Sequence, residues 1–294
     1  MAHEPDTLQS AYTRIIGETW VDDPDTRIHY YEILSYTAKT RPETLMPVVD
    51  NLLTLFDKEE REGTKLEVLE ILNNRLRVRQ EEFTEQNYEP FYSRLVALTQ
   101  DKKNAEYTHA LIGCGLDVAC RERKPSCGTF FQQVISYVAT YKGKEITAVE
   151  AEYLKPIAQK IGAIACAHPE LVTPKYVEAN TALLTLPISE DNTPRDKATR
   201  RIHHTASLNL HNLIEALGDG ELKCPTYKLF TDPHLKVLSD LEVMTHDTRV
   251  KAQAKRIRLS AQIWKLREHA AKKKAPTLPE IFLKMKTRPP NAPN

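Results

Sequence analysis

The chain has 294 residues, of which 41% are hydrophobic and 28% charged, enough to bury a core in one large domain, two ordinary ones or a repeat array. Its nine glycines, against an average near ~7% of residues, leave little material for hairpin turns, bulges or phosphate-cradling loops. That scarcity argues against a β-rich fold and for an all-α one. The net charge of +1 hides an asymmetry: Arg249–Asn294 holds thirteen Lys or Arg against Glu268 and Glu280, a balance of +11, so the preceding residues carry −10.

Apolar residues recur at helical spacing along nearly the whole chain. Asp23-Pro24 reads as an N-cap with proline at the first helical position, followed by Ile28, Tyr31, Ile33, Leu34 and Tyr36 to Ala38 as an apolar face. A second helix is expected from Pro42 through Leu45, Val48, Val49, Leu52, Leu53 and Phe56, and a third from Gly63-Thr64 through Leu66, Leu69, Ile71, Leu72 and Leu76. Further helices are predicted at 88–98, 105–119 and 129–141. After the Lys142-Gly143-Lys144 break they continue at 146–167, 173–186, 193–217, 233–244 and 247 to about 274, with a short one near 278–284. No period-two alternation and no Asn-Gly or Asp-Gly pair between strand-like runs is present. Apolar helices beginning near Pro42, Tyr88, Cys127 and Val172 are separated by 46, 39 and 45 residues, the period of a two-helix repeat. Such hairpins hide their apolar faces only by stacking on neighbours.

The segment Pro42–Asp57, PETLMPVVDNLLTLFD, resembles the first helix of a HEAT repeat, with its in-helix proline at Pro47. Asp247–Ile263, DTRVKAQAKRIRLSAQI, resembles the second helix: Asp247 at the cap, Val250, and Lys251 where arginine is usual. The likeness extends over about half the chain, and Asp23–Ala38 matches more loosely. It implies a HEAT or armadillo-like right-handed α-solenoid of stacked antiparallel helical hairpins, about a dozen helices in residues 1–274, with a Pro-rich tail at 275–294. It implies a surface for interaction and no particular chemistry.

Chemical constellations are sparse. Cys114, Cys120 and Cys127 lie near His109, but gaps of five and six residues and the lack of a second pair do not build a tetrahedral zinc site. Buried structural thiols are the plainer expectation. His246-Asp247 imitates the paired ligands of HD-type phosphohydrolases, yet no aspartate follows Asp247, so the metal set cannot close and a helix cap is expected instead. Asp22, Asp23 and Asp25 lack the glycine and terminal glutamate of a calcium loop and suit a helix N-terminus. No phosphate-binding or nucleophile-elbow glycine motif occurs, and Gly113-Cys114-Gly115 suits close helix packing. No cofactor, metal, small-molecule substrate or catalytic role is therefore expected. Five cysteines, an odd number, with no apolar leader and no run of about 18 apolar residues, suggest reduced thiols in the cytoplasm, or the nucleus of a eukaryote.

The basic C-terminus is the main functional candidate. Lys251, Lys255, Arg258 and Lys265 share overlapping helical faces, followed by Arg267, Lys272, Lys273 and Lys274. Val250, Ala254, Ile257, Ala261, Trp264 and Leu266 would face the core. The cationic face has three readings: a solvated cap that partly neutralises an acidic body, a contact for nucleic acid or another anionic surface, or a localisation signal. Leu278, Ile281, Phe282 and Met285 form a short apolar cluster suited to docking on the body or on a partner. The expected function is a non-catalytic scaffold or adaptor that binds a protein within a larger complex. The alternatives are a nucleic-acid-associated protein using the basic helix, and a HEAT-like DNA-repair enzyme.

Overall fold

The computed structural model describes residues 24–40, 49–61, 64–65, 67–69, 71–72, 85–100, 105–120, 125–189, 193–218, 229–245 and 247–272. Every regular element among them is helical: α1 (Pro24–Thr40), α2 (Val49–Lys58), α3 (Glu85–Gln100), α4 (Ala105–Ala119), α5 (Pro125–Ala139), α6 (Ala148–Ala167), a 3-10 turn at Pro169–Leu171, α7 (Pro174–Leu184), α8 (Pro194–Gly218), α9 (Asp232–Met244) and α10 (Thr248–Lys272). The described residues between 64 and 72 are helical too. No helix among the described residues is long and apolar enough to cross a membrane.

Local chemistry sets the helix ends. Thr147 and Glu150 form a reciprocal capping box at α6, Glu150 N–H donating to Thr147 Oγ1 at 3.1 Å and Thr147 N–H to Glu150 Oε2 at 2.7 Å. Before α8 the buried Asp196 carboxylate accepts from the backbone N–H and hydroxyl of both Ser189 and Thr193. Those bonds hold it well below the usual carboxylate range. Asp247 Oδ1 accepts from Arg249 N–H at 2.9 Å and Val250 N–H at 3.2 Å, the cap expected from sequence. The turn after α5 closes at Gly143, whose φ of 67° is left-handed and favours glycine.

The chain forms two compact units, Met1–Leu213 and Ile214–Asn294. Within the first, helices pack by skipping one: α3 on α5, α5 on α7, and α4 on α6, while α2 meets α3 past the helical residues at 64–72 and the sequential neighbours α3–α4 and α4–α5 also touch. α5 buries Cys127, Phe130, Phe131, Val134, Ile135 and Val138, a 3-4 spacing that presents one broad stripe. Tyr92 of α3 stacks on Phe130 at 4.9 Å between ring centroids, and Cys127 Sγ donates to Tyr92 Oη at 3.4 Å. α7 is buried nearly all round. Its polar Asn180 and Thr181 are satisfied by the Tyr176 and Val177 carbonyls one turn back, each at 2.9 Å.

The skipped-neighbour packing leaves a regular sequence separation between bonded residues. Side chains bond residues 37 (Arg94–Asp57), 41 (Glu85–Ser126), 39 (Gln132–Leu171), 41 (Gln132–Thr173), 40 (Cys120–Lys160) and 42 (Gly143–Thr185) positions away. Two of these helices reach the start of the helix two further on. Glu85 Oε1 of α3 accepts from Ser126 N–H in the first turn of α5, and Gln132 of α5 bonds Leu171 O and Thr173 Oγ1 just before α7. Glu85 thereby supplies an acceptor to a backbone donor that lacks an intrahelical partner, whereas Gln132 donates to a carbonyl and accepts from a hydroxyl.

Several sequence expectations needed correction. Tyr31 and Leu34 are buried, but Ile33 and Tyr36, assigned to the same apolar face, are exposed. Positions 33 and 36 sit on the side of α1 away from 31 and 34 by less than half a turn, so one face could not hold all four. Cys127 is buried as expected, whereas Cys114 and Cys120 are only half-buried. Cys114 lies on α4 nearly opposite the stripe Ile112, Leu116 and Ala119 that enters the core, and Cys120 follows the helix's last residue. Gly115 meets the packing expectation: a Cβ there would come 2.3 Å from Leu95 Cδ1 and 2.7 Å from Phe130 Cζ.

Candidate interaction surface

The second unit centres on the α9–α10 pair, in which both helices bring apolar and ionic groups to one seam. Val250, Ala254, Ile257 and Ala261 of α10 are buried at steps of four, three and four, as the sequence predicts. Beside that stripe Arg258 grips Glu242 of α9 through two bonds, Nε to Oε1 and Nη2 to Oε2, the second at 3.0 Å, and Nη1 reaches Gln262 Oε1 at 3.0 Å. The hydrogen-bonded guanidinium holds the Glu242 carboxyl below its ordinary range, and the carboxylate in turn raises Arg258. Lys265 Nζ donates to Asp232 Oδ1 at 2.7 Å at the start of α9, lowering that carboxyl too.

The cations predicted as one surface therefore divide. Arg258 and Lys265 clasp α9, while Lys251 and Lys255 are exposed to solvent. Arg267 and Lys272 lie on α10, but their side chains fall outside those described. Lys273, Lys274 and the tail cluster Leu278, Ile281, Phe282 and Met285 lie outside the described residues, as do His246 and Cys224. The side chain of Trp264 is likewise not described.

Leu266 is the correction on this helix: it is 69% exposed. It lies sixteen residues after Val250, about 160° around the helix, and so points away from the α9 seam. Leu259 and Ile263, 42% and 49% exposed, join it at steps of four and three. α10 thus carries two apolar stripes, one packed and one bare. Sequence reading found the first and missed the second, although the spacing that reveals it was present.

The first unit holds a buried polar trio. His109 of α4 lies within hydrogen-bond distance of Tyr137 Oη, 3.1 Å, and Tyr141 Oη, 2.9 Å, and the two phenols are 2.9 Å apart. His109 Nδ1 is buried without a partner. Burial holds the ring down to about 4, with the Glu150 carboxylate opposing, and pushes both phenols up. The ring is therefore neutral at physiological pH, and either tautomer leaves one nitrogen unsatisfied. The neutral imidazole between two un-ionised phenols braces α4 against α5 and the turn that follows it. No group of three or more His, Cys, Asp or Glu that could hold a metal occurs among the described residues. No protein-family model matches the chain, and no curated protein or solved structure does.

Proposed function

We propose that this chain is a non-catalytic scaffold or adaptor, a HEAT-like right-handed α-solenoid that holds a protein partner against its helical surface. The observation that supports this most is the recurrence of side-chain bonds between skipped neighbours at separations of 37 to 47 residues, close to the helix spacing of 39 to 46 read from the sequence. A unit of about 40 to 47 residues, each settling the next, is how two-helix repeats stack. Stacked repeats present long, rigid surfaces on which side chains can bind a partner, because each repeat's apolar face is covered by its neighbours in the stack.

The nucleic-acid alternative draws less support. Phosphate binding needs several clustered cations, and two of those proposed are engaged with Glu242 and Asp232. The decisive experiment is reciprocal purification of the tagged full-length chain from its native extract, with light scattering of the eluted complex. A defined, stoichiometric protein complex that survives nuclease and moderate salt supports the scaffold reading. A chain that elutes alone overturns it. Nucleic-acid binding that weakens steeply with salt, and is lost on deleting residues 249–294, would favour the alternative.

A further inference from the structure

We infer that the outward face of α10 is a docking site for an acidic amphipathic helix of another protein, which names the partner chemistry for the scaffold reading above. The stripe Leu259, Ile263 and Leu266 runs for two turns, about 10 Å, at the 4-3 spacing with which one helix meets another. Exposed Ala252, seven residues before Leu259, extends it toward the helix N-terminus. The opposite side of α10 is filled by the α9 seam, so the bare stripe is not a core face turned outward by chance of register.

Charge selects the occupant. Arg249, Lys251, Lys255 and Arg256 are all exposed, and by helical register Lys251 and Lys255 fall on one side of the stripe and Arg249 and Arg256 on the other. The first turn of α10 contains no acidic residue. The Asp247 carboxylate already caps the backbone donors there, so the side chains of Arg249 and Lys251 remain as an exposed positive edge that an incoming carboxylate can pair with. A partner helix with apolar residues on one face and Asp or Glu along its edges satisfies both features at once. Phosphate chains would leave the leucines bare. A second copy docking α10 on α10 would set cation against cation. The chain's own residues 275–294 offer only Glu280 against Lys284, Lys286 and Arg288. A lipid surface shares the charge, but a stripe of three large residues whose helix is already packed on its other side offers it little area to bury.

The test uses the full-length chain and a fluorescein-labelled three-heptad peptide with leucine at a and d and glutamate at e and g. Controls are the same peptide with lysine at e and g, and phosphatidylserine–phosphatidylcholine vesicles. Fluorescence anisotropy should give a preference of about tenfold for the glutamate peptide, declining with salt. Ile263→Asp should weaken binding by about 30-fold or more, as loss of a central interface anchor does. Lys251→Glu with Lys255→Glu should reverse the preference between peptides. These positions are exposed, and unchanged circular dichroism verifies the fold. Equal binding of both peptides, or binding indifferent to Ile263→Asp, overturns the proposal. So does Ile263-dependent binding of vesicles without binding of the peptide, or an Ile263-dependent dimer in sedimentation. The scaffold reading fails separately: a native complex retained by Ile263→Asp removes the α10 site and leaves the scaffold standing, whereas a chain with no native partner removes the scaffold whatever the peptide does.

Discussion

The buried His109 makes the first unit sensitive to acid in a calculable way. Its ring titrates near 4 in the fold against 6.5 when exposed, a depression caused mainly by burial. Between those values the unfolded chain binds a proton that the native chain does not, so stability is full above pH 6.5 and falls as pH drops toward 4. The difference of about 2.5 units, at about 1.4 kcal/mol each, amounts to about 3 kcal/mol, a large share of a typical domain's stability. Geometry explains why the proton is resisted. It would place a charge between Tyr137 and Tyr141 while Nδ1, already without a partner, gained nothing. Urea unfolding of the natural chain and of His109→Gln, measured from pH 7 to pH 4, isolates this contribution, because glutamine keeps an amide near the phenols and does not titrate. The natural chain should lose about 3 kcal/mol more than the variant across that range. Parallel curves, or an NMR titration placing His109 near 6.5, would refute the reasoning.

Other perturbations have opposing terms whose sizes decide the sign. Gly115→Ala gains about 1 kcal/mol of helix propensity but drives a methyl into Leu95 and the fully buried Phe130 ring; overpacking of about 1–3 kcal/mol should win, lowering the urea midpoint. At Gly162 a Cβ would lie 2.0 Å from Asn209 Oδ1, and displacing Asn209 breaks its 2.9 Å bonds to Ala158 O and Asn180 Oδ1. Gly162→Ala should therefore destabilise by about 2–4 kcal/mol in chemical denaturation, more than Gly115→Ala, because buried polar atoms lose their partners. For the α9–α10 clasp, a double-mutant cycle of Arg258→Ala and Glu242→Ala should return a coupling of about 1 kcal/mol in urea, reduced at high salt; a coupling indistinguishable from zero would show the pair to be ornamental.

Much of this molecule is written in one dimension. The 3-4 spacing of Phe130, Phe131, Val134, Ile135 and Val138, the caps at Thr147, Thr193 and Asp247, and the shortage of glycine specify helices because these are local physics: backbone donors need acceptors within a few residues, and an apolar stripe must be covered. Sequence could not decide which of several apolar residues on a helix is covered. Ile33 and Leu34 are adjacent and chemically alike, yet only Leu34 is buried. Nor could it decide which cations are spent inside. Arg258 and Lys255 are three residues apart, but α9 supplies Glu242 to the first. His109 and Tyr141, 32 positions apart, meet only because α4 and α5 pack side by side. Periodicity names the stripe on a helix. Only the arrival of a neighbouring helix determines which stripe is buried, which charge is paired, and which remains exposed to bind something else.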